Sequence, residues 1–204
     1  MRIARTLVLI HIFSLISVSS FGQVLKEGDF TLGGGLDYIE FNKFEPRYVV
    51  GLNGENRIGQ HFTTLFVFDA GKDYLHFGPG TIFLPMGLLL LNSEESTFGD
   101  FLLGLLFVGS SLENIGYSIP MGQLAEIIPY VSMLRFRFMW DGPTTPGNGN
   151  YVSGSLGVRL QYLFKERWYA SGHVEYSQLY YSGRPGGIES GVSVSYIVKR
   201  SQQE

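Results

Sequence analysis

The chain has 204 residues, only 16% of them charged, and its formal net charge is −3 at pH 7. Soluble domains usually carry about 25% charged residues, so this content is low for a protein with an ordinary water-facing surface. The slight negative charge argues against a nucleic-acid-binding surface, which needs clustered Lys and Arg. The absence of cysteine excludes disulfides, thiolate metal sites and a cysteine nucleophile.

The first predicted element is an export signal at residues 1–22. Two arginines precede a short apolar run, and small side chains stand just before the predicted cleavage point at Gln23. The apolar run is shorter than the roughly 20 residues that a membrane-spanning helix needs. We therefore predict a cleaved signal peptide and a mature chain, residues 23–204, that forms a single domain outside the bacterial cytoplasm.

Alternation of apolar and polar residues predicts three strands next, within residues 27–41, 47–59 and 61–71. Residues 81–111 break this alternation, because two leucine-rich runs flank a polar tract. Neither run is long enough to cross a bilayer as a helix. We predict an apolar helical insertion that packs on the rim of the fold or dips into lipid. Two alternatives stay open, a plug in the mouth of the fold and two additional strands.

Five further strands are predicted within residues 111–120, 124–140, 151–164, 167–181 and 187–199. In the strand predicted within residues 151–164, Leu156 and Val158 fall on one face and Arg159 falls on the other. A tight turn at 165–167 then places Arg159 opposite His173. In the strand predicted within residues 124–140, the apolar face carries Ile128, Tyr130, Leu134, Phe136, Phe138 and Trp140.

The predicted connections alternate in length along the chain. Short turns are expected at 58–60, 121–123 and 165–167, and longer loops at 42–46, 71–111, 141–150 and 182–186. Aromatic side chains gather near both ends of the strands, as interfacial Trp and Tyr do. An even number of long strands with one apolar face completes the pattern. This pattern resembles that of the small bacterial outer-membrane β-barrel proteins.

The resemblance implies an all-β fold, an antiparallel up-and-down transmembrane β-barrel of eight strands, with ten possible. It also implies residence in the bacterial outer membrane, contact with outer-membrane lipid, and delivery by periplasmic chaperones and the barrel-assembly machinery. A soluble β-sandwich or lipocalin-like barrel is the alternative. That fold turns its apolar face inward and needs a charged exterior, which 16% charged residues hardly provide.

Three residues on one polar strand face, Ser171, His173 and Glu175, are the residue types of an acyl-transfer triad. They are weak catalytic candidates, because side chains two apart on a strand run nearly parallel and a nucleophile must approach its base to about 3 Å. Buried charges need partners, so we predict an interior polar network instead. Its predicted members are Arg135, Arg137, Arg159, His173, Glu175 and Glu189.

No cofactor and no metal ion are predicted. His61 follows a turn, His76 falls in a stretch that reads as a loop, and neither has a second ligand at a metal-binding spacing. The predicted function is a structural or surface-interaction barrel whose bore is filled by side chains. A narrow channel or binder of a small or lipidic ligand, gated by residues 81–111, is one alternative. A lipid-modifying acyl hydrolase or transferase is the other, and enzymatic activity is the less favoured interpretation.

Overall fold

The computed structural model describes residues 24–42, 44–78, 89–91, 97–111, 114–140, 149–180 and 186–199. The predicted signal peptide lies outside these residues and stays a prediction. The described chain contains β1 (Phe30–Phe41), β2 (Arg47–Arg57), β3 (Phe62–Gly71), β4 (Tyr74–Gly78), α1 (Phe98–Ser111), β5 (Asn114–Tyr117), β6 (Ile119–Pro120), β7 (Ala125–Met139), β8 (Gly149–Lys165), β9 (Trp168–Leu179) and β10 (Gly186–Lys199). No helix among the described residues is long and apolar enough to cross a membrane.

The strands form a closed antiparallel barrel. Leu36 of β1 lies opposite Val50 of β2 on one side and opposite Val192 of β10 on the other, so the first and last strands join. Pairing continues from β10 through β9 and β8 to β7, and from β2 to β3. The wall therefore has eight positions, and the predicted fold class is confirmed.

One wall position, between β3 and β7, is shared by three short strands. β4 and β5 both pair with β3 on one side and with β7 on the other, and β6 extends β5 along β7. Val67 of β3 lies opposite Gly78, and Thr64 lies opposite Ile115. β4 and β5 are thus two parts of one wall strand, separated by residues 79–113. The ten strands make eight positions rather than a wider barrel.

The prediction of a single long loop at 71–111 is wrong. β3 turns at residues 72–73 directly into β4, and Asp73 adopts the positive φ of 56° that this tight turn requires. The insertion interrupts a strand instead of joining two strands at the rim. Its predicted helical character is confirmed by α1.

A β-bulge in β7 decides which of its side chains face the interior. The pairing of β7 with β8 shifts between Ser132 and Arg135, which adds a residue and reverses the alternation. The outward placement predicted for Ile128 and Tyr130 is therefore wrong, because both are buried on the inner side of the wall. Beyond the bulge, Arg137 also points inward, as the sequence predicts.

The outer face of the barrel is apolar and the inner face is polar. On β8, Leu156 and Val158 are 66% and 44% exposed, whereas the alternate residues Ser153 and Arg159 are buried. A lipocalin-like barrel has the opposite arrangement, with apolar side chains inside. The alternation along β8 therefore excludes that alternative. Arg159 lies opposite His173, as predicted, although a register shift follows between Leu163 and Lys165.

Candidate functional site

The interior of the barrel holds all six residues predicted to form the polar network, and its side chains lie in layers. We call one end of the barrel the far end. It carries the connections at 42–46, 72–73, 140–148 and 180–185. The opposite end is called the near end. An apolar layer fills the bore at the far end. It consists of Ile39, Phe41, Val49, Tyr74, Met139, Tyr151 and Leu179, with Phe44 packed against it.

Arg137 lies directly below the far-end apolar layer. Its guanidinium carbon stands 5.0 Å from the centre of the Phe41 ring, and its two terminal nitrogens donate to the Glu189 carboxylate at 3.0 and 2.5 Å. Nε donates to Ser153 at 2.8 Å, and the remaining donors meet Ser177 at 3.1 Å and the Tyr74 hydroxyl. All five N–H donors of the guanidinium therefore have acceptors, although the side chain is fully buried.

Glu175 accepts hydrogen bonds from a second group of side chains in the middle of the bore. Arg135 donates to one carboxylate oxygen, and the Tyr130 hydroxyl donates to the other at 2.6 Å. Arg135 also donates through Nε to Ser132 at 3.0 Å. The Arg159 guanidinium lies 5.9 Å from the centre of the Tyr130 ring. Tyr130 therefore belongs to this hydrogen-bonded group, which its predicted outward placement did not anticipate.

Two histidines each lie beside an aspartate in the same layer. His76 Nδ1 is 2.6 Å from Asp69 Oδ2, and His173 Nε2 is 3.7 Å from Asp37 Oδ1. The prediction that His76 lies in a loop is wrong, because β4 carries it into the bore, where it is fully buried. β4 was missed because it spans five residues between a tight turn and the insertion.

The three candidate triad residues have separate partners. Ser171 Oγ bonds to Ser193 Oγ at 2.7 Å, His173 lies beside Asp37, and Glu175 accepts from Arg135 and Tyr130. None of these contacts joins the serine to the histidine. Ser171 and Ser193 are directly opposed on the neighbouring strands β9 and β10, so the serine bonds along the wall and does not contact a base.

A second polar layer lies between the middle of the bore and the near end, and it was not predicted from the sequence. Arg57 donates to Glu126 at 2.7 Å, and Ser118 donates to the other oxygen of the same carboxylate at 2.5 Å. Glu55 accepts from Thr63 at 2.7 Å and from Gln161 at 2.5 Å. The available signal was the spacing of Glu55 and Arg57, which alternate with outward residues along β2.

The near end is closed by the start of the described chain. Val24 and Leu25 are fully buried and pack with Tyr169 and Ile197. The backbone of this segment is held to β2, since Gly28 N donates to Arg57 O at 2.8 Å. The bore is therefore bounded by apolar side chains at both ends, with two polar layers between them.

Little space remains inside. A cavity of about 20 Å³ lies in the middle layer among Asp37, Asp69, Arg135, Arg159 and His173, which is room for roughly one water molecule. Among the described residues, no group of three or more His, Asp or Glu side chains is arranged to hold a metal ion.

Comparisons with known proteins give similarity only at the level of architecture. No family model matches the chain, and no curated protein matches it. Among solved structures, the attachment invasion locus protein Ail of Yersinia pestis is 11% identical with a TM-score of 0.46, covering 83% of this chain and 98% of Ail. The N-terminal β-barrel domain of OprF from Pseudomonas aeruginosa is 8% identical with a TM-score of 0.48, over 83% and 98%. OprG from the same organism is 11% identical with a TM-score of 0.47, over 86% and 98%. The strand pairing, and not these similarities, establishes the barrel, and the resemblance to small outer-membrane barrels is confirmed for the fold.

Proposed function

We propose that this protein is an outer-membrane barrel of structural or surface-interaction type, whose bore is closed. The observation that carries this proposal is the filling of the interior from end to end. Apolar layers bound it at both ends, and buried side chains that hydrogen-bond one another occupy the middle. A barrel of this kind acts through what it presents outside, to lipid and at its loops.

The outward face supports the proposed location. A row of exposed apolar side chains runs along β8, β9 and β10, and includes Leu156, Val158, Leu160, Val174, Val192 and Val194. In water such a continuous apolar surface would be unfavourable, whereas hydrocarbon solvates it well. Trp168 at the near end and Trp140 at the far end match the interfacial preference of Trp. Export by the predicted signal peptide and insertion by the barrel-assembly machinery complete the proposal.

The two alternative functions have less support. A channel needs a continuous path, but the cavity in the middle layer has room for about one water molecule. An acyl-transfer enzyme needs a serine and a histidine that reach a lipid, but both side chains face the bore, where Ser171 bonds to Ser193 and His173 lies 3.7 Å from Asp37.

Conductance across a planar lipid bilayer tests the closed bore. We expect the purified, refolded protein to give no discrete and reproducible current steps, because ions would have to displace the apolar layers and the Arg–Glu pairs. Insertion is checked in the same preparation through the heat-dependent gel migration that folded barrels show. A reproducible unitary conductance from folded protein would overturn the proposal and favour the channel.

A further inference from the structure

The wall strand that β4 and β5 share is interrupted after Gly78, well below the far end of the barrel. Gly78 is the last residue before the interruption and pairs with Val67, which lies four residues from the end of β3 at Gly71. Four steps along a strand cover about 13 Å, which a strand tilt of about 40° reduces to roughly 10 Å in height. The turn above carries Lys72 and Asp73, whose charges belong at the level of the lipid headgroups.

The apolar band of such a barrel is about 25 Å tall, so a point roughly 10 Å beneath the headgroups lies within hydrocarbon. The outward side chains beside the exit agree with this depth. Phe66 and Phe77 pack edge to face with their ring centres 6.3 Å apart. Backbone that leaves the wall here has no water to bond, and a helix meets that requirement because it satisfies its own N–H and C=O groups.

The insertion re-enters the wall about two residues nearer the near end than the point where it leaves, since Gly78 pairs with Val67 of β3 and Ile115 pairs with Thr64. Ser111 ends α1 and Asn114 begins β5, so the two residues are at most about 11 Å apart along the chain. Asn114 pairs with Ser132 of β7, inside both ends of that strand. The C-terminal end of α1 is therefore held within about 11 Å of this re-entry point.

The N-terminal end of α1 is capped by its own side chains. Asp100 is the one charged residue of the helix, and its carboxylate accepts from Thr97 N at 2.9 Å and from Thr97 Oγ1 at 2.6 Å. Asp100 N in turn donates to Thr97 Oγ1 at 3.2 Å, so the two residues form a reciprocal cap. The helix has 14 residues and a length of about 21 Å, which separates this capped end from the C-terminal end.

Between its two ends, α1 exposes apolar side chains on more than one face. Phe98 is 77% exposed, and Phe101, Leu102, Leu103 and Leu105 are each about half exposed. Successive helix residues are about 100° apart, so neighbours such as Leu102 and Leu103 point in different directions. A helix that is apolar on several sides and exposed needs an apolar surrounding.

We propose that α1 lies in the hydrocarbon of the bilayer beside the barrel, with acyl chains as its partner, its C-terminal end deep and its Thr97–Asp100 end at the headgroups. This inference rests on the proposed membrane location of the barrel. The protein then has two lipid-contacting elements, the strand wall and a helix that enters the bilayer without crossing it.

Single cysteines test this placement, because the chain has none of its own. Leu105→Cys reports the helix, Val158→Cys reports the strand wall, and Lys165→Cys reports the exposed near end of β8. Each full-length variant is labelled with an environment-sensitive fluorophore and refolded into phosphatidylcholine vesicles. The vesicles carry bromine atoms deep in the acyl chains, and iodide serves as the aqueous quencher.

We expect the label at Leu105 to lose fluorescence to deep bromine to the same extent as the label at Val158, and to resist iodide. The label at Lys165 should behave oppositely. If the Val158 label responds to deep bromine while the Leu105 label does not, or responds to iodide, the inference on α1 is overturned and the barrel proposal survives. If the Val158 label itself escapes bromine, the proposed membrane location fails, and the inference fails with it.

Discussion

Arg137 carries a full positive charge into the barrel and has an acceptor for each of its donors. Glu189 supplies two of them, and Ser153, Ser177 and Tyr74 supply the rest. A buried ion pair contributes little net stability by itself, because desolvation offsets the attraction. Removing only one partner of the pair is strongly destabilising, because the charge of the other partner stays buried without compensation.

We expect Arg137→Met to lower the free energy of unfolding by about 3–5 kcal/mol, because Glu189 would be left as an unpaired buried carboxylate. The matched control is Arg167→Met in the exposed turn between β8 and β9, which should change stability by less than about 0.5 kcal/mol. Urea unfolding in vesicles, followed by the fluorescence of Trp140 and Trp168, measures both. Equal midpoints for the two variants would contradict the fully bonded guanidinium.

The sequence predicted which face of a strand the polar side chains occupy, but not which of them would be partners. Alternation placed Arg159, His173 and Glu175 on one face, because side-chain direction along a strand follows directly from the pleat. It does not say which strands meet across the bore. Arg57 and Glu126 were missed for this reason, since they lie 69 residues apart in the chain and meet only once the wall is closed.

Strand β8 shows the barrel's division into lipid-facing and bore-facing sides most directly. Its exposed residues Leu156, Val158 and Leu160 alternate with buried polar ones over a strand of 17 residues. The cost of placing a charge on the outer side therefore depends on depth, being largest at mid-bilayer and small near the interface. Two outward positions on this one strand differ in depth while the strand and the lipid stay the same.

We expect Val158→Arg to destabilise the protein in vesicles by about 2–4 kcal/mol, and Phe164→Arg, near the turn, by about 0–1 kcal/mol. Both side chains point outward from β8 and both are about half exposed. The measurement is the urea midpoint in vesicles of one lipid. Similar losses at the two positions would indicate that no hydrocarbon surrounds the middle of the strand.

Alternation predicts an element well only where the strand is regular. β8, β9 and β10 keep their parity, so their outward residues follow from the sequence. β7 does not, because the bulge between Ser132 and Arg135 shifts the parity by one, and nothing in the local composition marks that residue. Interrupted strands are harder still, since a five-residue piece such as β4 gives too few alternations to be distinguished from a loop.

At the scale of the whole molecule, closure depends on the pairing of β1 with β10. Without it the sheet would have two open edges, which cannot be exposed to hydrocarbon. The seam is regular from Thr31 to Phe41, with Leu36 opposite Val192 on the outer face. Directly opposed residues on neighbouring antiparallel strands have Cα atoms about 4.5–5.5 Å apart, within the range that a disulfide can bridge.

We expect the double variant Leu36→Cys with Val192→Cys to form an intramolecular disulfide when the folded protein is oxidised. The control pairs Leu36→Cys with Val158→Cys, which lies on β8 with β9 and β10 between them, and it should stay reduced. After denaturation, the cross-linked chain is distinguished by its faster migration on a non-reducing gel. A disulfide in the control, or none in the paired variant, would argue against the closed wall.

The interruption of one wall strand also orders the events by which the protein can assemble. β3 can pair with β4 at once across a two-residue turn, but Phe62, Thr63 and Thr64 must wait for β5, which follows 35 further residues, 79–113. Closing the longer loop costs about 2.5 kcal/mol more in chain entropy. A half-made barrel would therefore keep unpaired edges on the near-end parts of β3 and β7 until β5 joins them, which makes pairing of β5 the later step.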